Sequence, residues 1–159
     1  MLKVKLITVG TLKEEYLRSA CAEYEKRLGA FCRFELIQLK EERLPESPSQ
    51  NEIRAALDRE SARIIEQIPS SAFCVALCVE GKQLSSEELA EKIDAISLEK
   101  SEICLVIGSS YGLSDTVKQR ADMRLSVSRL TFPHQLMRVI LLEAIYRAFN
   151  IQRGTKYHK

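Results

Sequence analysis

Short apolar runs alternate along the chain with stretches in which apolar residues recur every three or four positions, and this alternation lays out the elements. Residues 2–9 read as a strand with core-facing alternation, punctuated by Gly10. Residues 13–28 read as a helix, with Tyr16, Leu17, Ala20, Tyr24 and Leu28 on one face and Gly29 where a C-terminal cap belongs. A strand is predicted over 33–39, followed by a charged loop containing Pro45 and Pro48. Ser49 with Glu52 three residues on is a capping-box pattern. It opens a helix through Ile53, Ala56, Leu57, Ile64, Ile65 and Ile68 that stops at Pro69. Residues 72–79 are a continuous apolar run, as expected of a strand covered on both faces, and a turn is predicted at Glu80-Gly81-Lys82.

The motif then repeats. A second capping box, Ser85 with Glu88, precedes a helix over 87–98, and residues 102–107 are another fully apolar strand ending in Gly108-Ser109-Ser110-Tyr111-Gly112. Ser114 can cap a short helix reaching Arg120, residues 123–127 can form a fifth strand, and a last helix spans 134–150. Strands alternating with helices, with unalternating apolar strands in the middle, predict an α/β fold: a mainly parallel sheet between helical layers, in a single domain over 1–159. The last helix is apolar over well over half its circumference, from Leu136 and Met137 through Ile145 to Phe149. That excess can be buried within the chain or against a second copy. Arg138, Glu143 and Arg147 are expected to keep part of the helix facing solvent, which favours a dimer.

In a parallel α/β sheet, ligands bind beyond the carboxyl ends of the strands, which here are residues 77–81, 108–112 and 127–132. Glycines there allow a ligand to approach the backbone, although Gly108 and Gly112 can equally serve only to make a turn. The chain has no Gly-x-Gly-x-x-Gly, no phosphate-binding Lys-Ser/Thr after its glycines and no Gly-x-Ser-x-Gly elbow, which weakens dehydrogenase, NTPase and serine hydrolase readings. The stretch Thr131-Phe132-Pro133-His134-Gln135-Leu136-Met137-Arg138 carries the most information. Pro133 fixes the chain before the helix, Thr131 or His134 can serve its free amides, and Arg138 lies one turn beyond His134. His134 is then a capping or packing group, or a contact for RNA or catalysis. The terminal Tyr157-His158-Lys159 joins a ring, an imidazole and a cation in a segment that would ordinarily fray.

Charge changes this picture by its distribution. The net charge is +2, from 24 basic and 22 acidic residues, but residues 118–159 hold nine basic and two acidic side chains and sum to +7, leaving the preceding residues at −5. Five cysteines, Cys21, Cys32, Cys74, Cys78 and Cys104, lack any Cys-x-x-Cys spacing and are expected to be reduced, buried thiols. With two histidines and no carboxylate-rich pattern, no metal site is expected, and no apolar run is long enough to span a membrane. The N-terminal segment reads as a strand rather than a signal peptide, so a cytoplasmic location is expected.

Together, Thr-Phe-Pro-His-Gln-Leu-Met-Arg-Val, the following Leu-Leu-Glu-Ala-Ile-Tyr-Arg-Ala-Phe helix and the terminal Tyr-His-Lys closely resemble the small bacterial methyltransferases that modify a pseudouridine of large-subunit ribosomal RNA. The opening Lys-Val-Lys-Leu-Ile-Thr-Val-Gly strand, Glu23-Tyr24-Glu25-Lys26-Arg27-Leu28, Gly81-Lys82 with Leu84-Ser85-Ser86-Glu87, and Val106-Ile107-Gly108 extend the likeness over the whole chain. The resemblance implies the SPOUT class, with a C-terminal trefoil knot and a homodimer. It also implies S-adenosylmethionine bound at Leu77, Gly108 and Val127, Ser128, Arg129, Leu130, Thr131 and Phe132. Its implied reaction is methylation of pseudouridine N3 in helix 69 of 23S rRNA, on assembled ribosomes. His158 would act as base with Tyr157 as its partner at the nucleobase, and Arg129, His134, Arg138, Arg153 and Lys159 would meet RNA. Ser109 departs from the family's usual Gly-Gly, which keeps open an RNA-binding protein of the same fold that has lost catalysis. On the residues alone, a flavodoxin-like nucleotide-binding domain is a third reading.

Overall fold

The computed structural model describes residues 1–159. Its elements run β1 (Lys3–Val9), α1 (Glu15–Leu28), β2 (Arg33–Leu39), α2 (Gln50–Glu66), β3 (Phe73–Lys82), α3 (Ser86–Glu99), β4 (Glu102–Ile107), α4 (Asp115–Arg120), β5 (Met123–Leu125) and α5 (His134–Gln152). The strands form one sheet in the order β2-β1-β4-β3-β5, and every pairing is parallel. Thus the α/β expectation holds, with the sheet wholly parallel. The flavodoxin-like reading does not: that fold orders its strands 2-1-3-4-5, whereas here β4 inserts between β1 and β3.

The central strands are apolar throughout because both their faces are covered. Along β4, Ile103, Leu105 and Ile107 face the larger core, which includes Cys21 and Leu28 of α1, Ile93 and Ile96 of α3 and Leu141, Leu142 and Ile145 of α5. Cys104 and Val106 face a smaller core completed by Ile64 of α2 and Val117 of α4. Alternate residues of one strand therefore serve two cores. Four of the cysteines are buried and Cys78 is half-buried; burial pushes the Cys32 and Cys74 thiols up to about 11 and Cys104 up to about 12.

Local chemistry sets most boundaries. Ser49 accepts from the Glu52 amide while the Glu52 side chain accepts from Ser49 N–H, and Ser85 and Glu88 repeat this reciprocal cap on α3. Ser114 caps α4 through the Val117 amide. Other expectations shift. Gly29 does cap α1, but with right-handed backbone angles, so its special freedom is not used there. Strand β3 runs through the expected turn to Lys82, because Lys82 pairs with Leu125 across an irregularity in register. The approach is close: a Cβ at Gly81 would lie 2.7 Å from the Leu125 carbonyl carbon. Correspondingly, β5 ends at Leu125, short of the expected residue 127.

Helix α5 packs between α1 and α3, and its apolar excess is largely absorbed inside the chain by Leu141, Leu142, Ile145, Ala148 and Phe149. Arg138, expected on the solvent side, is instead only 2% exposed. Leu136 keeps a partly open apolar surface near the start of the helix. No helix is long and apolar enough to cross a membrane.

Candidate cofactor cavity and terminal cluster

The loops after β3, β4 and β5 converge with the start of α5 around a cavity of about 490 Å³. Of the positions expected to hold a cofactor, Leu77, Gly108, Val127, Ser128, Leu130, Thr131 and Phe132 line it; Arg129 does not and is exposed. His134 also faces the cavity. The N-cap of α5 is Pro133 with no side-chain bond to the helix amides, so neither Thr131 nor His134 caps the helix. Cys78, within the predicted strand end 77–81, lines the cavity as well, as do Ser126 and Met137, which the sequence analysis missed. Met137 was within reach of it, lying three residues beyond His134 on the same helical face.

Gly108 does more than make a turn. A Cβ there would run into the Gly112 carbonyl, its carbon at 2.6 Å and its oxygen closer still. The turn closes through Gly112 N–H donating to Ser109 O at 2.8 Å, with Gly112 at φ +85. Below it, the Ser109 hydroxyl donates to buried Glu60 at 3.0 Å. After β5, the Ser126 hydroxyl donates to Ser128 O, and Leu130 N–H donates to Ser128 Oγ.

No Lys, Arg, Asp or Glu lines the cavity. Its walls combine apolar side chains such as Leu77, Ile107, Leu125, Phe132 and Met137 with hydroxyls and backbone groups. That surface suits an aromatic heterocycle with a sulfonium, and lacks the cations with which phosphate-binding sites neutralise their ligands.

The terminal residues gather elsewhere. Tyr157 donates its hydroxyl to Glu143 Oε1 at 2.9 Å, packs edge-on against Tyr146 and lies beneath the Arg147 guanidinium. Burial and the Glu143 carboxylate push its phenol up to about 12. His158 lies between two partners, with Nε2 2.8 Å from Glu87 Oε1 and Nδ1 3.2 Å from Arg147 Nη1. Arg147 donates N–H, so Nδ1 accepts and Nε2–H points to Glu87. His158 in turn holds the Glu87 carboxyl below the usual range. Neither Tyr157 nor His158 lines the cavity of its own chain. Arg147 is ten residues beyond Met137, about 15 Å along the helix axis.

The basic C-terminal quarter is partly spent on internal contacts. Arg120 donates to the carbonyls of Pro69 and Ala72, Lys118 pairs with Glu80, and Arg147 pairs with Glu143. Arg138 donates to Gln38 Oε1 at 3.2 Å and Gly10 O at 3.3 Å, its Nε has no partner, and burial lowers its pKa. Buried in this way it cannot meet a phosphate, which corrects the RNA-contact expectation for this residue. Arg129, Arg153 and Lys159 remain exposed, Arg153 lying over the Phe31 ring.

A family described as "Predicted SPOUT methyltransferase" matches residues 2–158. The chain is 50% identical over 159 residues to a protein of Bacillus pumilus named "Ribosomal RNA large subunit methyltransferase H", covering 99% of this chain and 100% of the relative. Proteins of the same name from Streptococcus thermophilus and Bifidobacterium adolescentis are each 51% identical with the same coverage. A solved structure of a probable methylase family protein from Haemophilus influenzae aligns with a TM-score of 0.56 at 15% identity, over 98% of this chain and 70% of that one, a likeness of fold. With the family match running from the second residue to the penultimate one, the chain belongs to the SPOUT methyltransferase family.

Proposed function

We propose that the chain, acting as one domain over 1–159 and as a homodimer in the cytoplasm, methylates N3 of a pseudouridine in helix 69 of 23S rRNA on assembled ribosomes. The observation that carries this reading is the uncharged cavity at the carboxyl ends of β3, β4 and β5. Full-length relatives named as large-subunit rRNA methyltransferases support the substrate class. S-adenosylmethionine supplies the electrophilic methyl group when bound. Gly108 gives it access to the backbone, Leu77 and the residues 127–132 segment wall it in, and His134 stands at the rim beside Met137.

Pseudouridine N3 is a weakly acidic imide that must lose its proton to become a good nucleophile, so the protein's tasks are alignment and proton removal. His158 takes that proton on Nδ1 once Arg147 has moved away from it, and releases it to water after transfer. Tyr157 stays a neutral phenol at physiological pH and is available to stack on the base or hydrogen-bond to it. Because the terminal cluster lies outside its own cavity, the tail of one protomer completes the site of its partner. Arg129, Arg153 and Lys159 supply exposed charge for RNA phosphates. Residues 126–128 and 130–133 share the cavity with the loops after β3 and β4, and α5 then packs on the face opposite α4. That passage supports reading the segment as a threaded trefoil knot.

The test is methyl incorporation from labelled S-adenosylmethionine into ribosomes lacking the modification, compared with free large subunits and naked RNA. Incorporation at that pseudouridine, strongest on assembled ribosomes, is expected. Absence of incorporation, with cofactor binding intact, would leave the non-catalytic RNA-binding alternative. Ser109, the motive for that alternative, turns its hydroxyl to Glu60 and leaves Gly108 in place.

A further inference from the structure

The floor of the cavity rests on a buried carboxylate that neither the family match nor the reading above uses. Glu60, on the third turn of α2, is 3% exposed, and Ser109 above it is 7% exposed. Its Oε1 accepts the Ser109 hydroxyl at 3.0 Å, and its Oε2 accepts the Glu42 backbone N–H at 3.0 Å. Nearby cations are engaged elsewhere: Arg59 and Arg63 pair with the Glu42 side chain at 3.1 and 2.8 Å. Glu60 is thus held by two neutral donors from two loops. A carboxylate buried this way is costly unless those donors stay in place, so each donor loop is drawn to a fixed position.

The geometry points to Glu60 as a positioning residue for the cofactor: through the Ser109 hydroxyl it holds the Gly108–Gly112 turn in the shape that the cavity floor requires. The turn needs such an anchor. Gly108 and Gly112 give its backbone latitude, and one backbone hydrogen bond, Gly112 N–H to Ser109 O, closes it. The Glu60–Ser109 bond joins the turn to the middle of a 17-residue helix, an element whose backbone is already fixed. The inference rests on the cavity being the cofactor site.

Substitutions separate positioning from general stability. In Ser109→Ala the anchor is lost and Glu60 Oε1 loses its donor, while in Glu60→Ala both loops are released. Glu60→Gln can keep the arrangement, its carbonyl accepting from Glu42 N–H and its amide donating to Ser109 Oγ. Calorimetry with S-adenosylmethionine should show affinity roughly 10–100-fold weaker in Ser109→Ala and Glu60→Ala, as expected for loss of a hydrogen bond to a charged group, with most of it recovered in Glu60→Gln. The Ser109→Ala/Glu60→Ala double variant should bind no more weakly than Glu60→Ala alone. Wild-type affinity in Ser109→Ala, or additive losses in the double variant, would overturn the inference. Should the unaltered chain not bind S-adenosylmethionine, the cofactor reading itself fails. The anchor is still tested by amide exchange at residues 110–112, which should quicken in Ser109→Ala and would count against the anchor if unchanged.

Discussion

The cavity and the terminal cluster belong to one chain and share α5, yet they are built on opposite principles. The cavity is uncharged and its shape is set by backbone: a turn too tight for a side chain at Gly108 and the ends of three adjacent parallel strands. In the terminal cluster position is set by charge and aromatic contact, with Tyr157 and His158 held by Glu143, Arg147 and Glu87 from two helices. Holding a neutral heterocycle and a sulfonium calls for shape, and moving a proton calls for titratable groups. The chain keeps these two sets of groups apart, and the proposed function joins them between protomers.

Gly108→Ala attacks the first principle and carries the largest expected effect. Overlap with the Gly112 carbonyl has to be relieved by moving backbone, so affinity for S-adenosylmethionine should fall by about 100-fold or more by calorimetry, a loss of order 3 kcal/mol. His158→Ala attacks the second, and should lower single-turnover methylation by about 100-fold with cofactor affinity nearly unchanged. Mixing the two inactive variants then tests their union. If the tail works across the dimer, mixed dimers hold one intact cavity facing one intact tail and activity returns; a mixture as inactive as its components would mean that tail and cavity act within one chain.

Two cations of the basic C-terminal quarter sharpen the contrast further. Arg138→Ala should destabilise the fold by about 2–4 kcal/mol, through lost packing and the freed partners Gln38 and Gly10, without altering the salt dependence of RNA binding. Arg153→Ala should leave the melting temperature nearly unchanged and reduce the slope of log affinity against log salt by about 0.7–0.9. The smallest effect concerns pH. The Tyr157 phenol is raised in the folded chain from 10.0 to about 12, so the stability it contributes is complete below pH 10 and is lost as pH rises through about 12. Tyr157→Phe should abolish this loss of stability between pH 10 and about 12 and, by removing the hydrogen bond to Glu143, lower stability slightly at neutral pH.

Much of the scaffold was legible because its signals are local. Both capping boxes, the Ser114 cap and the apolar runs of β3 and β4 lie within a few residues of what they determine. The strand ends that line the cavity followed from sheet logic, and the resemblance pointed to the same positions. What escaped depends on distant partners. Extension of β3 through Lys82 needs β5 beside it, Glu60 meets Ser109 across 49 positions, and Arg138 is drawn inward by the ends of β1 and β2 against the expectation its charge creates. Gly29 misled in a simpler way, since a glycine at a helix end need not adopt the conformation only it favours.

The place of α5 has a consequence for biosynthesis. The layer formed with α1 and α3 receives its central member only after both of them, and β4, the partner that completes β1, arrives nearly a hundred residues after it. While the nascent chain emerges, the apolar faces of α1 and α3 have nothing between them, and early strands wait on late ones. Productive folding therefore awaits synthesis of α5, and a truncation that removes even its last two turns, with Ala148 and Phe149, should leave an aggregating fragment rather than a smaller enzyme.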